Sequence, residues 1–408
     1  MTQLYLYDDA AAREFEPFAL TRPVSEMRAG AEVIRRRWER ALGMRATGFI
    51  GAPHLADFEE LDAPPAASGV IPAGSIVASS RCVVAMERLP ADAAALTCAG
   101  QVAALRLRRE LDVSELVESG RPLDALASTG TPCTAVAGRW LDHVWDFVGQ
   151  LSMQLADDVH ALGYGGRATQ IQQGQRGIAV HGPHPLWVEP GAVVEPYVFF
   201  DVAGGPIYVS EGAHVHAFTR VVGPCYLGPG SSVSADKIAN CSIGEVSRVH
   251  GELSTTIVLG HSNKAHDGFV GHSYLGRWVN LGAGTTTSNL KNTYGTVALW
   301  TPKGVRDTGL QFLGTLFGDH AKTGIGMRLT TGSVIGAGAN VYGSTMPPKY
   351  VEPFSWGDGA PYGAYRVDKF IEVAGRAMAR RSINLGERGR RQLVAAFARG
   401  RSGAGSGA

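Results

Sequence analysis

Between Val209 and Val233 an aliphatic residue returns at every sixth position: Val209, Val215, Val221, Leu227 and Val233. The same spacing runs earlier through Val188, Val194 and Phe200. It resumes at Ile243 and Val249, at Phe269, Leu275 and Leu281, and at Leu329, Ile335 and Val341. A helix repeats every ~3.6 residues and a strand every second one, so neither element explains this period. A chain that turns a corner every six residues around a triangular prism does explain it, with the aliphatic side chain pointing inward. Glycine often follows the aliphatic position, as at Leu227-Gly228 and Ile335-Gly336, and eases the tight corner. Three such hexads make one coil, and coils stack at the parallel-strand spacing of about 4.8 Å. The pattern therefore predicts a left-handed parallel β-helix over residues 180–345. A β-sandwich would instead alternate with a period of two, and the unbroken run from Val209 to Val233 argues against it.

The hexad breaks at Ala203-Gly204-Gly205-Pro206, near Ser262-Asn263-Lys264, and across residues 289–312. Breaks in a solenoid are loops, and loops carry function. Residues 1–170 lack the hexad. Leu4 to Asp9 and Ala46 to Gly51 read as strands, Ala31 to Leu42 as a basic helix, and Val102 to Leu107 and Pro122 to Leu126 as helical or mixed structure. Short strands alternating with helices predict an α/β domain with a parallel sheet. Residues 346–408 form a tail with one helix at about 365–382. Val367, Phe370, Ile371, Ala374 and Met378 mark its apolar face. Lys369, Arg376, Arg380 and Arg381 on the other face read as solvated charge rather than as a contact to coenzyme phosphates.

Composition narrows the partners. Apolar residues make up 45% of the chain and charged ones 18%, so a large core is expected and general disorder is not. A net charge of +1 gives no electrostatic reason to expect nucleic acid or an anionic membrane as partner. Cys82, Cys98, Cys133, Cys225 and Cys241 show no regular spacing and read as reduced thiols. The opening stretch has no basic n-region or apolar core, so no secretion signal is expected, and a cytoplasmic location is.

The densest polar run is His261 to His272, at a break in the hexad. Acylation of an amine needs a base to take a proton as nitrogen attacks the carbonyl, and histidine suits that task near neutral pH. His266 is the candidate, with His261 and His272 read as surface or interface side chains. A metal site built from these three histidines ranks below the base reading, since no Cys stands among them. In the stretch Val279 to Asn292, the amides of Asn280 and Asn289 suit substrate or coenzyme binding, and Lys322 and Arg328 suit phosphates. Near the start, Arg22 and Arg28 in LTRPVSEMRAG could clamp phosphates with Asp8 or Asp9 near a metal, or be ordinary loop charges.

These stretches together resemble the GlmU-related sugar nucleotidyltransferase/acyltransferase family, in a divergent bacterial branch. The matching segments are LTRPVSEMRAG, GGPIYVSEGAHV, SNKAHDGFVGHSYLGRWVNLGAGTTTSNLKN, DTGLQFLGTLFGDHAKTGIG and KFIEVAGRAMARR. The family's base lies fourteen residues before the Asn of its NIGAG motif, which carries the role to His266 before Asn280 of NLGAG. The resemblance gives Asn280 to the acceptor and Asn289 to the coenzyme. Phe269 and Leu290 stand where the better-known branch has Tyr, and Thr255 and Thr256 where it has basic residues. The first domain has no glycine-rich loop after its first strand.

The resemblance implies a homotrimer with sites between neighbouring prisms, transferring an acetyl or other acyl group from coenzyme A to an amino-sugar phosphate. Lys264 or Lys291 would help Asn280 orient the acceptor, and Asn289, Lys322 and Arg328 would hold the coenzyme. It further implies coupling of the product to UTP, with Mg2+, in the first domain, as in biosynthesis of UDP-GlcNAc-like nucleotide sugars. Two rivals are an acyltransferase whose first domain only binds a nucleotide sugar, and a non-enzymatic trimeric scaffold. The polar loop from Ser262 to Asp267 has no purpose in a pure scaffold.

Overall fold

The computed structural model describes residues 2–172, 174 and 178–402. The chain forms two compact units. One comprises the chain up to Val144 together with the segment from Leu385, and the other is Trp145–Asn384. The division falls earlier than residue 170 because helix Leu151–Tyr164 belongs to the second unit. Its face of Leu151, Leu155, Val159 and Leu162 is buried, and the Phe147 ring packs edge-on against Tyr274 at 5.5 Å.

In the first unit Leu4–Tyr7 lies parallel to both Ala46–Ile50 and Ile76–Ser79. Gln101–Arg106 runs antiparallel between Ile76–Ser79 and Ala95–Cys98, so the sheet is mixed rather than wholly parallel. This strand covers the segment read as helical or mixed; its Val102 to Leu105 are all buried, and sheet pairing overrides local propensity there. Helix Ile34–Leu42 forms as expected, but its arginines do not face water. Arg35 is buried and bonds Glu26 at 2.6 Å, and Arg37 is buried against the carbonyls of Ala29 and Val84. The segment after Leu385 forms a second helix, Glu387–Ser402, where the sequence reading placed only tail.

The second unit is a β-solenoid of about 10 turns, of left-handed β-helix type. Leu186–Val188, Ile207–Val209, Cys225–Leu227, Ser242–Ile243, Ile257–Val258 and Tyr274–Leu275 stack in parallel along one side. Tyr208 faces Tyr226 in register, one coil of three hexads on. The expected hexad residues fill the prism: Val209, Val215, Val221, Leu227 and Val233 are all fully buried. Phe269 departs from this, because Val270 takes the inward place beside Leu253. Val270 follows the inward Lys264 by six residues but precedes the inward Leu275 by five, so the side between them is one residue short of a hexad and Phe269 lies off the inward line.

The solenoid skips residues 289–312. Tyr274–Leu275 pairs directly with Leu316 and Phe317, and the intervening chain forms an arm with the hairpin Ala298–Thr301 and Gly304–Asp307. At each end of the stack one side of the prism finishes on a reversed strand. Thr169–Ile171 runs antiparallel to Leu186–Val188, and Gly363–Ala364 antiparallel to Ser355–Gly357. Helix Val367–Ala379 follows, with Phe370, Ile371, Ala374 and Met378 buried as its apolar face predicted. All five cysteines are free thiols, with Cys133 the exposed one. Among the described residues no helix is long and apolar enough to cross a membrane.

Candidate functional site

One column of outward positions climbs the second unit through His214, Ser232, Arg248, Asn263, Asn280 and Lys322. Parallel stacking puts each residue beside the next, and Asn263 Nδ2 donates to Asn280 Oδ1 at 2.9 Å. The top of this column opens into a cleft of about 280 Å3 lined by His261, Asn263, Trp278, Asn280, Lys322 and, from the helix Val367–Ala379 and its C-terminal turn, Arg376, Arg380 and Arg381. Asn280 and Lys322, chosen from sequence, thus meet in one cavity. The arginines read as solvated charge line it too, whereas Lys369 pairs with Glu372 at 2.9 Å.

The cleft gathers positive charge. Burial lowers the Lys322 ammonium to about 8. Burial, with Arg248 and Arg380 nearby, pushes the Arg381 guanidinium down from its usual value. Like charges held together in partial burial favour an anion between them. His261, read from sequence as a surface group, is only 7% exposed; its Nδ1 accepts from Arg277 Nη1 at 2.8 Å, and its ring lies 4.7 Å from Trp278. Arg277 in turn bonds Glu245 at 2.7 Å. Sequence offered no signal for this chain, because its members lie on three successive coils.

His266 sits on the corner that leads from this face to the next, and it is exposed. The corner is built from stacked turns: Gly284 N–H donates to Asp267 O at 3.3 Å and Gly326 N–H to Ala283 O at 2.7 Å. Lys264 occupies the inward position between Val249 and Leu281, with 2% exposure. Its ammonium donates to the carbonyls of His250, His266 and Asp267 at 2.8, 2.6 and 3.1 Å. Burial holds it down to about 8. Lys264 therefore grips the loop that carries His266 and is not presented to solvent.

On the next face Phe269 pairs beside Glu252, and Thr286 beside Arg328. Asn289 Nδ2 donates to His272 Nδ1 at 2.8 Å, and Phe312 stacks on the His272 ring at 5.1 Å. Burial lowers His272 to about 4, so it stays a neutral acceptor. Arg328 is exposed and reaches Ser344 O at 3.3 Å. Lys291 bonds Thr296 O within the arm. The candidates thus fall on two adjacent faces, with His266 on the edge that joins them.

In the first unit Arg22 and Arg28 are each 1% exposed. Arg22 pairs with Glu60 at 2.7 Å, and Arg28 bonds Ala31 O. Asp9 Oδ1 accepts from Ala12 N–H, and both its oxygens accept from Arg81, the shorter bond being 2.7 Å. Asp8 Oδ2 accepts from Val24 N–H at 3.0 Å, and burial raises its carboxyl to about 6. A hard divalent cation needs charged oxygens turned toward open space. These two carboxylates are engaged inside the protein and do not fit Mg2+ as they stand.

Two architectures make up the chain: a mixed α/β unit and a β-solenoid that turns a corner about every six residues. Residues 4–165 match the family described as sugar nucleotidyl transferase. The chain is similar to the bifunctional protein GlmU of Desulfitobacterium hafniense (strain DSM 10664 / DCB-2), at 29% identity over 195 residues. That match covers 41% of this chain and 39% of the relative, so less than half of the relative's length is spanned. A bifunctional sugar-1-phosphate nucleotidylyltransferase/acetyltransferase of Sulfurisphaera tokodaii is 35% identical over 92 residues, which is 22% of this chain and 23% of that protein. A solved hexapeptide transferase family protein from Anaplasma phagocytophilum aligns with 56% of this chain and 99% of its own, at 13% identity and a TM-score of 0.26. That score adds nothing to the fold read from the strands themselves. Over part of its length, then, the chain is similar to bifunctional proteins of the GlmU kind.

Proposed function

We propose that the second unit is an acyl-CoA-dependent N-acyltransferase whose acceptor is an amino-sugar phosphate. The observation that carries this reading is the cationic cleft of Asn280, Lys322, Arg376, Arg380 and Arg381 on the face next to the exposed His266. The arginines and Lys322 hold the phosphate of the acceptor, and Asn280 bonds its polar groups. Asn289 and Arg328, on the other side of the His266 edge, receive the coenzyme. His266 takes a proton from the amine as nitrogen bonds the thioester carbonyl. The amide forms, the C–S bond breaks, and the coenzyme leaves as its thiol.

An edge residue with candidate subsites on both sides suits an assembly in which a neighbouring prism covers it. We take that assembly to be the homotrimer that the family resemblance implies. Lys264 enters as the brace of the His266 loop rather than as an acceptor ligand. His266→Ala is expected to lower kcat for acyl transfer at least ~100-fold, with KM for acetyl-CoA changed little. Stopped assays against a panel of amino-sugar phosphates check this, and full turnover by the variant would remove the base assignment.

For the first unit the engaged state of Asp8, Asp9, Arg22 and Arg28 favours a domain that binds a nucleotide sugar without catalysing its synthesis. No nucleotidyl-transfer step is derived from these groups. Pyrophosphate release from UTP and a sugar 1-phosphate, with Mg2+ added, would reverse that preference in favour of the bifunctional reading.

A further inference from the structure

Early in the solenoid, at the foot of the column that leads to the cleft and three coils before Asn263, lies a second cluster. His214 and His216 flank the inward Val215, one inside and one just after the strand His214–Val215, so the period of two turns both imidazoles outward. Their rings stack with centroids 3.9 Å apart. Glu195 stands one coil earlier, next to Val194, which pairs with Val215. Its Oε1 lies 2.6 Å from His214 Nε2 and 3.2 Å from His216 Nδ1. One nitrogen from each ring and one carboxylate oxygen all fall within 4.8 Å of one another.

We infer that Glu195, His214 and His216 form a binding site for a divalent transition-metal ion of the zinc class. A metal at roughly 2.0–2.2 Å from each donor bridges a cluster of this size. Imidazole nitrogens select zinc-like ions over magnesium and calcium, and one carboxylate completes a familiar mixed donor set.

The donors are also oriented from behind. Glu195 Oε2 accepts the Ala217 N–H at 2.8 Å, which leaves Oε1 for the imidazoles. His216 Nε2 lies 2.9 Å from Ser232 Oγ, which fixes that ring and aims Nδ1 at the carboxylate. Outer partners of this kind set ligand direction in metal centres. The three side chains are 33–38% exposed, so an ion can enter from solvent and keep water in its remaining positions.

The test uses the whole chain with Cys133 replaced by Ser, which removes the exposed thiol as a competing ligand. The protein is stripped with a chelator and then titrated with Zn2+ against a chromophoric competitor. One ion per chain is expected, with Co2+ giving the visible absorption of a low-coordinate site. His214→Ala and His216→Ala should abolish saturable binding, and Ser232→Ala should weaken it about 10-fold. His181→Ala, on the same solenoid but outside the cluster, should leave it unchanged. Glu195→Gln keeps the side chain's shape and guards against a folding artefact. Its thermal unfolding should lose the Zn2+-dependent shift seen in the parent. Binding that is absent from the parent, or that survives in both histidine variants or in Glu195→Gln, overturns the inference.

Discussion

Lys264 sits in a column whose neighbours are Val249 and Leu281, and its ammonium donates to three carbonyl oxygens. Removing it leaves those acceptors without their donor and opens a space inside the prism. Lys264→Ala is expected to cost about 2–4 kcal/mol in unfolding free energy, read by calorimetry or denaturant titration. The same variant should loosen the loop at His266, seen as faster amide exchange from 265 to 268. From sequence the residue looked like a ligand, because a polar side chain in a polar run is assumed to face outward. Its inward place depends on which coil it stacks upon, and local pattern does not carry that information. Asn280 and Lys322, which meet at the cleft, were legible as polar residue types suited to ligands. The partnership of His261, Arg277 and Glu245 was not, since it joins separate coils.

The helix Val367–Ala379 does two jobs at once. Its apolar stripe is buried, and Arg376 from its last turn joins Arg380 and Arg381 at the cleft. Sequence gave the stripe correctly, but a charged face looks the same whether it meets water or a cavity. Lys322, lowered to about 8, adds a titratable charge to the same cleft. The ammonium form dominates below that pH and is lost above it. Inorganic phosphate or a sugar phosphate is therefore expected to bind more weakly as pH rises through 8, by calorimetric titration. Lys322→Met should remove that step in the pH profile, and Arg380→Ala should weaken binding at every pH. The hexad was the most legible element of all, because each coil repeats one packing problem. It failed at Phe269, because the step from the inward Val270 to Leu275 is five residues rather than six.

At the scale of the molecule the two units differ in what their buried charges do. In the first, burial raises Asp8 to about 6 and Glu16 to about 7, against ordinary values of 3.8 and 4.5. A carboxyl raised in the folded state favours folding while it is protonated. That contribution is full below its ordinary value and is lost as pH rises through 6 to 7. Protection of Leu4–Tyr7 against hydrogen exchange, corrected for intrinsic rate, should thus decline over that range, and Asp8→Asn should flatten part of the decline. The second unit, by contrast, is held by its repeated apolar coils, and at each end one side of its prism finishes on a short strand of opposite direction. A reversed strand of two or three residues is a poor template for another parallel coil. On those two sides the stacking of a second copy end to end is disfavoured, which works against fibre-like extension along the solenoid axis.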